Sequence, residues 1–314
     1  MYLLYSPELS IVKQIPSMYK SLFNLGGHSL IATLIVAALR RELKTSLSVA
    51  NFKHPTVKDT AAFIDTEEGR PSEGFMSLAE TVGASATITI RNELSGSAVF
   101  LFPEATGFAS VYSSAFDHIP RKTAAFGDQN WGQTDTTESI TSIVTSLIPA
   151  IRAVQPKGPY FLSGWSFGGY LALEAALQLE AAGESAGIVI MFDSSVYDRE
   201  IGKERWYSEL DPLLAIVEDK ARWLTQFMKC NRMINEYKLR PGCFEGRAVL
   251  VRAERGRDPG EEHPPPVEAY NGWRKILPQI EVIGIDSTHR AMFDQANGPE
   301  MGKIIAGLLN EVDV

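Results

Sequence analysis

Cysteine is nearly missing from this chain: only Cys230 and Cys243 occur in 314 residues, and their separation fits no metal-binding spacing. Such sparing use points to a reducing, cytoplasmic compartment and gives no reason to expect a metal. Positive charge is also in short supply, with 30 Lys and Arg against 38 Asp and Glu and a net charge of −8, so a nucleic-acid footprint is excluded. Long apolar runs are lacking too. The run over residues 30–39 is too short for a membrane span and continues into Arg40 and Arg41. Residues 1–5 have neither a basic start nor a proper apolar core, so no secretory signal is expected, and no internal repeat is visible.

What is present suffices for two domains. The length exceeds one typical domain, and a hydrophobic content of 45% can fill packed cores. Residues 65–84 include the polar, punctuated run Glu67-Glu68-Gly69-Arg70-Pro71-Ser72-Glu73-Gly74, which reads as a linker. The expected division is a first domain over 1–65, a linker over 66–83 and a second domain over 84–314.

The most informative stretch is Gly164-Trp165-Ser166-Phe167-Gly168-Gly169, which follows the apolar run Tyr160-Phe161-Leu162 and precedes a helix-like stretch over 170–179. Strand, sharp turn and helix in that order make a nucleophile elbow, in which positions two either side of the serine must be tiny because strand and helix approach closely. Gly164 and Gly168 meet that demand, and the helix N-terminus aims the Phe167 N–H where an oxyanion would form if Ser166 attacked a carbonyl. The bland alternative is a chance match among 25 glycines.

A serine needs a base and an orienting carboxylate, which in such folds follow in the order serine, acid, histidine. His28, His54 and His118 precede Ser166, and His263 opens the run His263-Pro264-Pro265-Pro266, a poor place to fix an imidazole. His289 remains. It follows the strand-like residues 280–285 by the short loop Asp286-Ser287-Thr288, which puts it at the edge where parallel strands deliver their loops. For the acid, Asp193 closes the apolar strand-like residues 187–192, one helix and one strand beyond the serine. A carboxylate emerging from such a strand needs a partner such as an imidazole N–H. Glu254 and Asp258 compete from the loop after the next strand-like run, 247–252, although their densely charged surroundings also read as a solvated loop. A second oxyanion donor is expected after the strand-like residues 98–102, in the loop Pro103-Glu104-Ala105-Thr106-Gly107. Proline donates nothing, which nominates the Ala105 N–H; an ordinary strand-ending turn is the alternative.

Phe100-Leu101-Phe102-Pro103 before a Gly-containing loop, Gln155-Pro156-Lys157-Gly158-Pro159-Tyr160 leading into the Gly-Trp-Ser-Phe-Gly-Gly turn, Asp193 and His289 together resemble the type I thioesterase domain that ends nonribosomal peptide synthetases and related polyketide synthases. The resemblance implies an α/β fold, an α/β-hydrolase thioesterase domain with a helical lid. The lid would be the insertion over about 195–245, whose helical periodicity runs from Pro212 to Tyr237 and whose apolar wall would be Trp223, Phe227 and Met228. A plain helical packing layer is the alternative.

An independent signal, Phe23-Asn24-Leu25-Gly26-Gly27-His28-Ser29-Leu30, is followed by a helical stretch over 30–43 and by Phe52-Lys53-His54-Pro55-Thr56-Val57. It resembles the small all-α peptidyl carrier, or thiolation, domain of the same synthetases. There the matching serine, here Ser29, receives a covalent 4'-phosphopantetheine from a phosphopantetheinyl transferase. A serine opening a helix suits a phosphodiester, although serine is also a preferred N-cap. Pro7 and Pro16 interrupt residues 1–22, so the first carrier helix is expected to be incomplete.

These readings imply an enzyme that takes an acyl, peptidyl or aryl-acid thioester from an upstream adenylation or other synthetase domain and releases it through acyl-Ser166. Release by water, by an internal nucleophile or by carbon–carbon condensation stays open. Two rival readings are a stand-alone editing thioesterase or esterase with a vestigial carrier segment, and a non-catalytic docking module.

Overall fold

Short, wholly apolar runs alternating with longer amphipathic stretches commit the second half of this chain to buried parallel strands joined by helices. The structure, a computed structural model, describes residues 56–65, 86–91, 96–128, 137–196, 220–255, 270–294 and 296–312. The chain divides into two units, Met1–Phe75 with Pro212–Lys220, and Met76–Asp211 with Ala221–Val314. The first unit contains helix α1 (Val57–Ile64). Thr56 caps it, its hydroxyl accepting the Asp59 N–H at 3.0 Å and donating to the Asp59 carboxylate at 2.6 Å. The rest of the expected all-α domain, Ser29 and its motif included, lies outside the described residues.

The second unit is built on seven strands: β1 (Ala86–Arg91), β2 (Val99–Phe102), β3 (Thr123–Asp128), β4 (Tyr160–Trp165), β5 (Ala186–Phe192), β6 (Ala248–Ala253) and β7 (Glu281–Ile285). Their order across the sheet is β1-β3-β2-β4-β5-β6-β7. Only β1 runs antiparallel, against β3. The helices are α2 (Ser113–Phe116), α3 (Ile140–Val154), α4 (Phe167–Ala181), α5 (Lys220–Glu236) and α6 (Gly298–Val312). The expected α/β architecture is therefore present, and α5 falls inside the stretch expected to form an insertion between β5 and β6. Elements β1, β3, α3 and α6 go beyond the sequence reading.

Each helix type follows from its sequence. Ser139 opens α3 with a capping box shared with Ser142, and the helix buries Ile140, Val144, Leu147, Ile148, Ile151 and Val154 along one stripe. Helix α4 is apolar nearly all round, with every residue from Phe167 to Ala176 buried, as expected of a helix running beneath the centre of a sheet. Gly298 and Gly302 let α6 settle against Ser114 and Ala115 of α2, where a Cβ would meet atoms at 1.9 and 2.5 Å. Among the described residues no helix is long and apolar enough to cross a membrane.

The tightest packing lies where β4 turns into α4. A Cβ on Gly164 would sit 2.1 Å from the Gly168 carbonyl oxygen, and one on Gly168 would sit 2.5 Å from that of Phe102. Both obstacles are backbone and cannot rotate aside. Gly164→Ala should therefore destabilise the domain by about 3 kcal/mol, the upper range for overpacking, read from the urea midpoint at constant m-value. Unchanged stability would show that strand and helix can separate there.

Candidate active site

Parallel register sets the site before any side chain is considered. Trp165 pairs with Phe192, Phe192 with Val251, and Ala253 with Ile285, so β4, β5, β6 and β7 end together at one edge. Ser166, Asp193, Glu254 and the loop carrying His289 leave the sheet there in turn.

Ser166 occupies the turn with φ 55° and ψ −116°, a conformation that L-residues avoid. Surrounding backbone holds it there: its N–H donates to Phe192 O at 2.8 Å, and its carbonyl accepts the Ser194 hydroxyl at 2.7 Å and the Gly169 N–H at 3.1 Å. Asp193 is also left-handed, at φ 41°, with its N–H bound to Val251 O at 2.7 Å. Its Oδ2 lies 2.8 Å from His289 Nδ1. Oδ1 accepts the Ala253 N–H and the Asn271 side-chain amide, each at 3.1 Å. Burial alone would raise the Asp193 pKa. The hydrogen bond and charge of His289, together with the Ala253 and Asn271 donors, outweigh it and hold the carboxyl below the ordinary aspartate range.

Among the competing acids, Glu254 is exposed, with Oε1 3.5 Å from Arg252 Nη2, and Asp258 lies outside the described residues. The His289 ring packs on Trp165, centroids 5.4 Å apart, which limits its rotation about the Asp193 contact. With Nδ1 engaged, Nε2 is the nitrogen left to face a substrate. Among the described residues no hydrogen bond joins the Ser166 hydroxyl to His289. Such contacts are often long before substrate binds.

Ala105 and Phe167 line one small pocket together with Ser166, Tyr170, Ser195, Cys230 and Ile234. None of the three residues expected to form the apolar wall lines this pocket. Trp223 and Phe227 are buried and in contact, ring centroids 5.8 Å apart, but Met228 is 50% exposed. One residue is a 100° step around a helix, which carries Met228 off the stripe. The stripe continues instead through Cys230 and Ile234, which reach the pocket. Spacings of four, three and four residues from Trp223 could have identified them.

Four further residues escape the sequence reading. Asn271 is buried and left-handed at φ 47°, ahead of Gly272, and its amide also lies 3.3 Å from Ser194 O. The Asn-Gly pair signalled a turn, but nothing in it named Asp193 as the partner. Ser194 braces Ser166. Tyr112 donates to Phe102 O at 2.5 Å and accepts the Trp165 N–H at 2.8 Å, joining the ends of β2 and β4. Glu104 is a buried carboxyl beside Ala105.

Comparison with known proteins gives two matches along the chain: residues 97–229 match the thioesterase domain and residues 18–64 match the phosphopantetheine attachment site. The chain is similar to vanchrobactin synthetase VabF of Vibrio anguillarum, 26% identical over 91% of this chain and 10% of that protein. It is similar to enterobactin synthase component F of Escherichia coli K12, 26% identical over 92% of this chain and 23% of that protein. It thus spans a quarter or less of these relatives. Among solved structures, the NocB thioesterase domain in covalent complex with a fluorophosphonate nocardicin G analogue superposes with a TM-score of 0.59 at 25% identity, covering 71% of this chain and 99% of that one. The fold is that of the α/β-hydrolase thioesterases.

The lowered Asp193 pKa makes a prediction about stability. A carboxyl with a folded pKa below its unfolded value of 3.8 stabilises the fold above that value, and loses the contribution as pH falls through the folded pKa. The stability advantage of the unmutated protein over Asp193→Asn, measured by urea unfolding, should be constant above about pH 5 and shrink steadily below pH 4. An advantage that grows on acidification would reverse the assignment.

Proposed function

Because this chain is a phosphopantetheine carrier region followed by a thioesterase domain, as at the ends of nonribosomal peptide synthetases, we propose that Ser166, His289 and Asp193 act as a catalytic triad releasing an acyl product held as a thioester on a phosphopantetheine arm carried by Ser29. The observation that carries this reading is the 2.8 Å contact between His289 Nδ1 and Asp193 Oδ2 at the sheet edge where Ser166 leaves β4. The arm bound to Ser29 supplies a thiol that presents the acyl group as a thioester; Ser29 lies within the matched residues 18–64.

Ser166 Oγ attacks the thioester carbonyl while His289 Nε2 takes its proton, and Asp193 holds the imidazole in the tautomer that makes this possible. Negative charge collects on the carbonyl oxygen, where the N–H groups of Phe167 and Ala105 stabilise it. Collapse breaks the carbon–sulfur bond and returns the proton from His289 to the departing sulfur, leaving acyl-Ser166. Water, or an amine or hydroxyl within the acyl chain, then attacks with His289 again as base. Upstream synthetase domains and a phosphopantetheinyl transferase are the partners this reading requires.

Two sets of variants test it. Asp193→Asn should lower kcat by about 10⁴ through the wrong imidazole tautomer, whereas Glu254→Gln should leave it within a few-fold. The opposite ranking would transfer the acid to Glu254. Ser29→Ala should block release of a carrier-loaded acyl group yet leave hydrolysis of a small soluble thioester near the unmutated rate, because the arm contributes only local concentration. Ser166→Ala should accept the arm, seen by intact mass, and process neither substrate. Turnover by Ser166→Ala would remove the triad, and a Ser29 that stays unmodified under conditions that load a control carrier would remove the carrier assignment.

A further inference from the structure

The steps above leave Glu104 without a task, although it is only 6% exposed and sits next to the proposed oxyanion donor Ala105. Burying a carboxyl is costly unless its oxygens are satisfied. Here they are satisfied from within the same turn: Oε2 accepts the Thr106 N–H at 2.7 Å, and Oε1 accepts the Thr106 hydroxyl. The Glu104 carbonyl meanwhile accepts the Gly107 N–H at 2.8 Å, closing a four-residue turn that Gly107 completes at φ 78°. The turn thus consumes the N–H groups of Thr106 and Gly107, and Pro103 has none. Among the described residues the N–H groups of Glu104 and Ala105 remain without a partner, and of the two it is Ala105 that lines the pocket with Ser166.

The same turn is tied down from outside. Tyr112 joins the end of β2 to the residue before Ser166, and the Cys230 thiol of α5 lies 3.7 Å from the Ala105 carbonyl oxygen. Ala105 is thus fixed at both of its peptide groups relative to the pocket it shares with Ser166.

We propose that Glu104 is a positioning residue whose carboxyl clamps Thr106 and so presents the Ala105 N–H, preorganised, to the carbonyl oxygen attacked by Ser166. The inference rests on the reading of Ser166 as nucleophile and Ala105 as oxyanion donor. Burial supports it by pushing Glu104 up to about 8 against the opposing Thr106 N–H. Near neutrality the group is mostly an uncharged acid that tolerates a dry site without a cation. Tyr112, packed nearby, is kept protonated chiefly by its own burial, with a smaller contribution from Glu104. A donor held rigidly before reaction acts on the transition state and hardly at all on ground-state binding.

Steady-state kinetics on a soluble acyl thioester tests the clamp, with folding checked by circular dichroism. Glu104→Ala should lower kcat by ~10- to 100-fold with KM within about threefold, since a loosened donor is less damaging than a deleted one. Glu104→Gln keeps an acceptor for the Thr106 N–H and should recover kcat to within about threefold of the unmutated protein. Thr106→Val, which loses only the hydroxyl partner, should fall between, and decides the matter by the same kcat criterion if Glu104→Ala fails to fold. An unmutated kcat in Glu104→Ala, a change confined to KM, or a Glu104→Gln variant no better than Glu104→Ala would overturn the clamp. Ser166→Ala in the same assay separates the two levels. If it turns over normally, the underlying reading falls. If it is inactive while Glu104→Ala runs at full kcat, only the clamp falls.

Discussion

The close approach of β4 and α4 around Ser166 is the constraint on which the remainder of the second unit depends. Two glycines allow a strand and a helix to meet backbone to backbone, and the intervening serine is forced into a left-handed conformation that its own side chain disfavours. That geometry cannot be held locally. It is over-determined by bonds from Phe192, Ser194 and Gly169, and it brings α4 beneath the sheet at an angle that buries nearly every side chain of its first three turns. The strained turn is stable because the surrounding core gains more from burial than the turn loses.

The same sheet edge supplies a second left-handed residue, Asp193, and a third, Asn271, which donates to it. Three non-glycine residues with positive φ converge on one edge of a regular fold, which marks that edge as the place where local preference yields to function. The Asp193 carboxyl illustrates the balance. Burial opposes its charge, and three separate donors restore it, so the group stays ionised in a site dry enough for its field to act on His289. Trp165, next to the serine in sequence, covers the imidazole from the other side.

The opposite solution appears at Glu104, a few residues away in the β2 loop. There the donors are fewer, burial prevails and the carboxyl keeps its proton to about pH 8. Two acids of one site are thus held in different states by the donors each collects and by the charge of His289 beside Asp193. Helix α5 closes the pocket with a stripe of apolar side chains, and its buried Lys229 sits 3.2 Å from Glu138 on the segment entering α3. The helix is therefore held by an ion pair as well as by packing.

How much of this was legible beforehand depends on the range of the forces involved. Ser166, its flanking glycines and the strand and helix either side were written in the sequence, because a strained turn restricts residue types within a few positions. The apolar runs of β2, β4, β5 and β6 were likewise legible, since a strand buried on both faces must be largely apolar, whereas β7 is an edge strand with only Ile285 buried. His289 followed by elimination among five histidines, and Asp193 was preferred to Glu254 because it leaves a wholly apolar strand. Tertiary structure alone decided that Asp193 meets His289, that Asn271 completes its donors, that Tyr112 ties β2 to β4, and that Cys230 and Ile234 line the pocket while Met228 does not. Those contacts join positions far apart in the chain, and no local propensity encodes them. They arise when parallel register brings strand ends to one edge, where the partner of a buried polar group is set by geometry and not by its sequence neighbours.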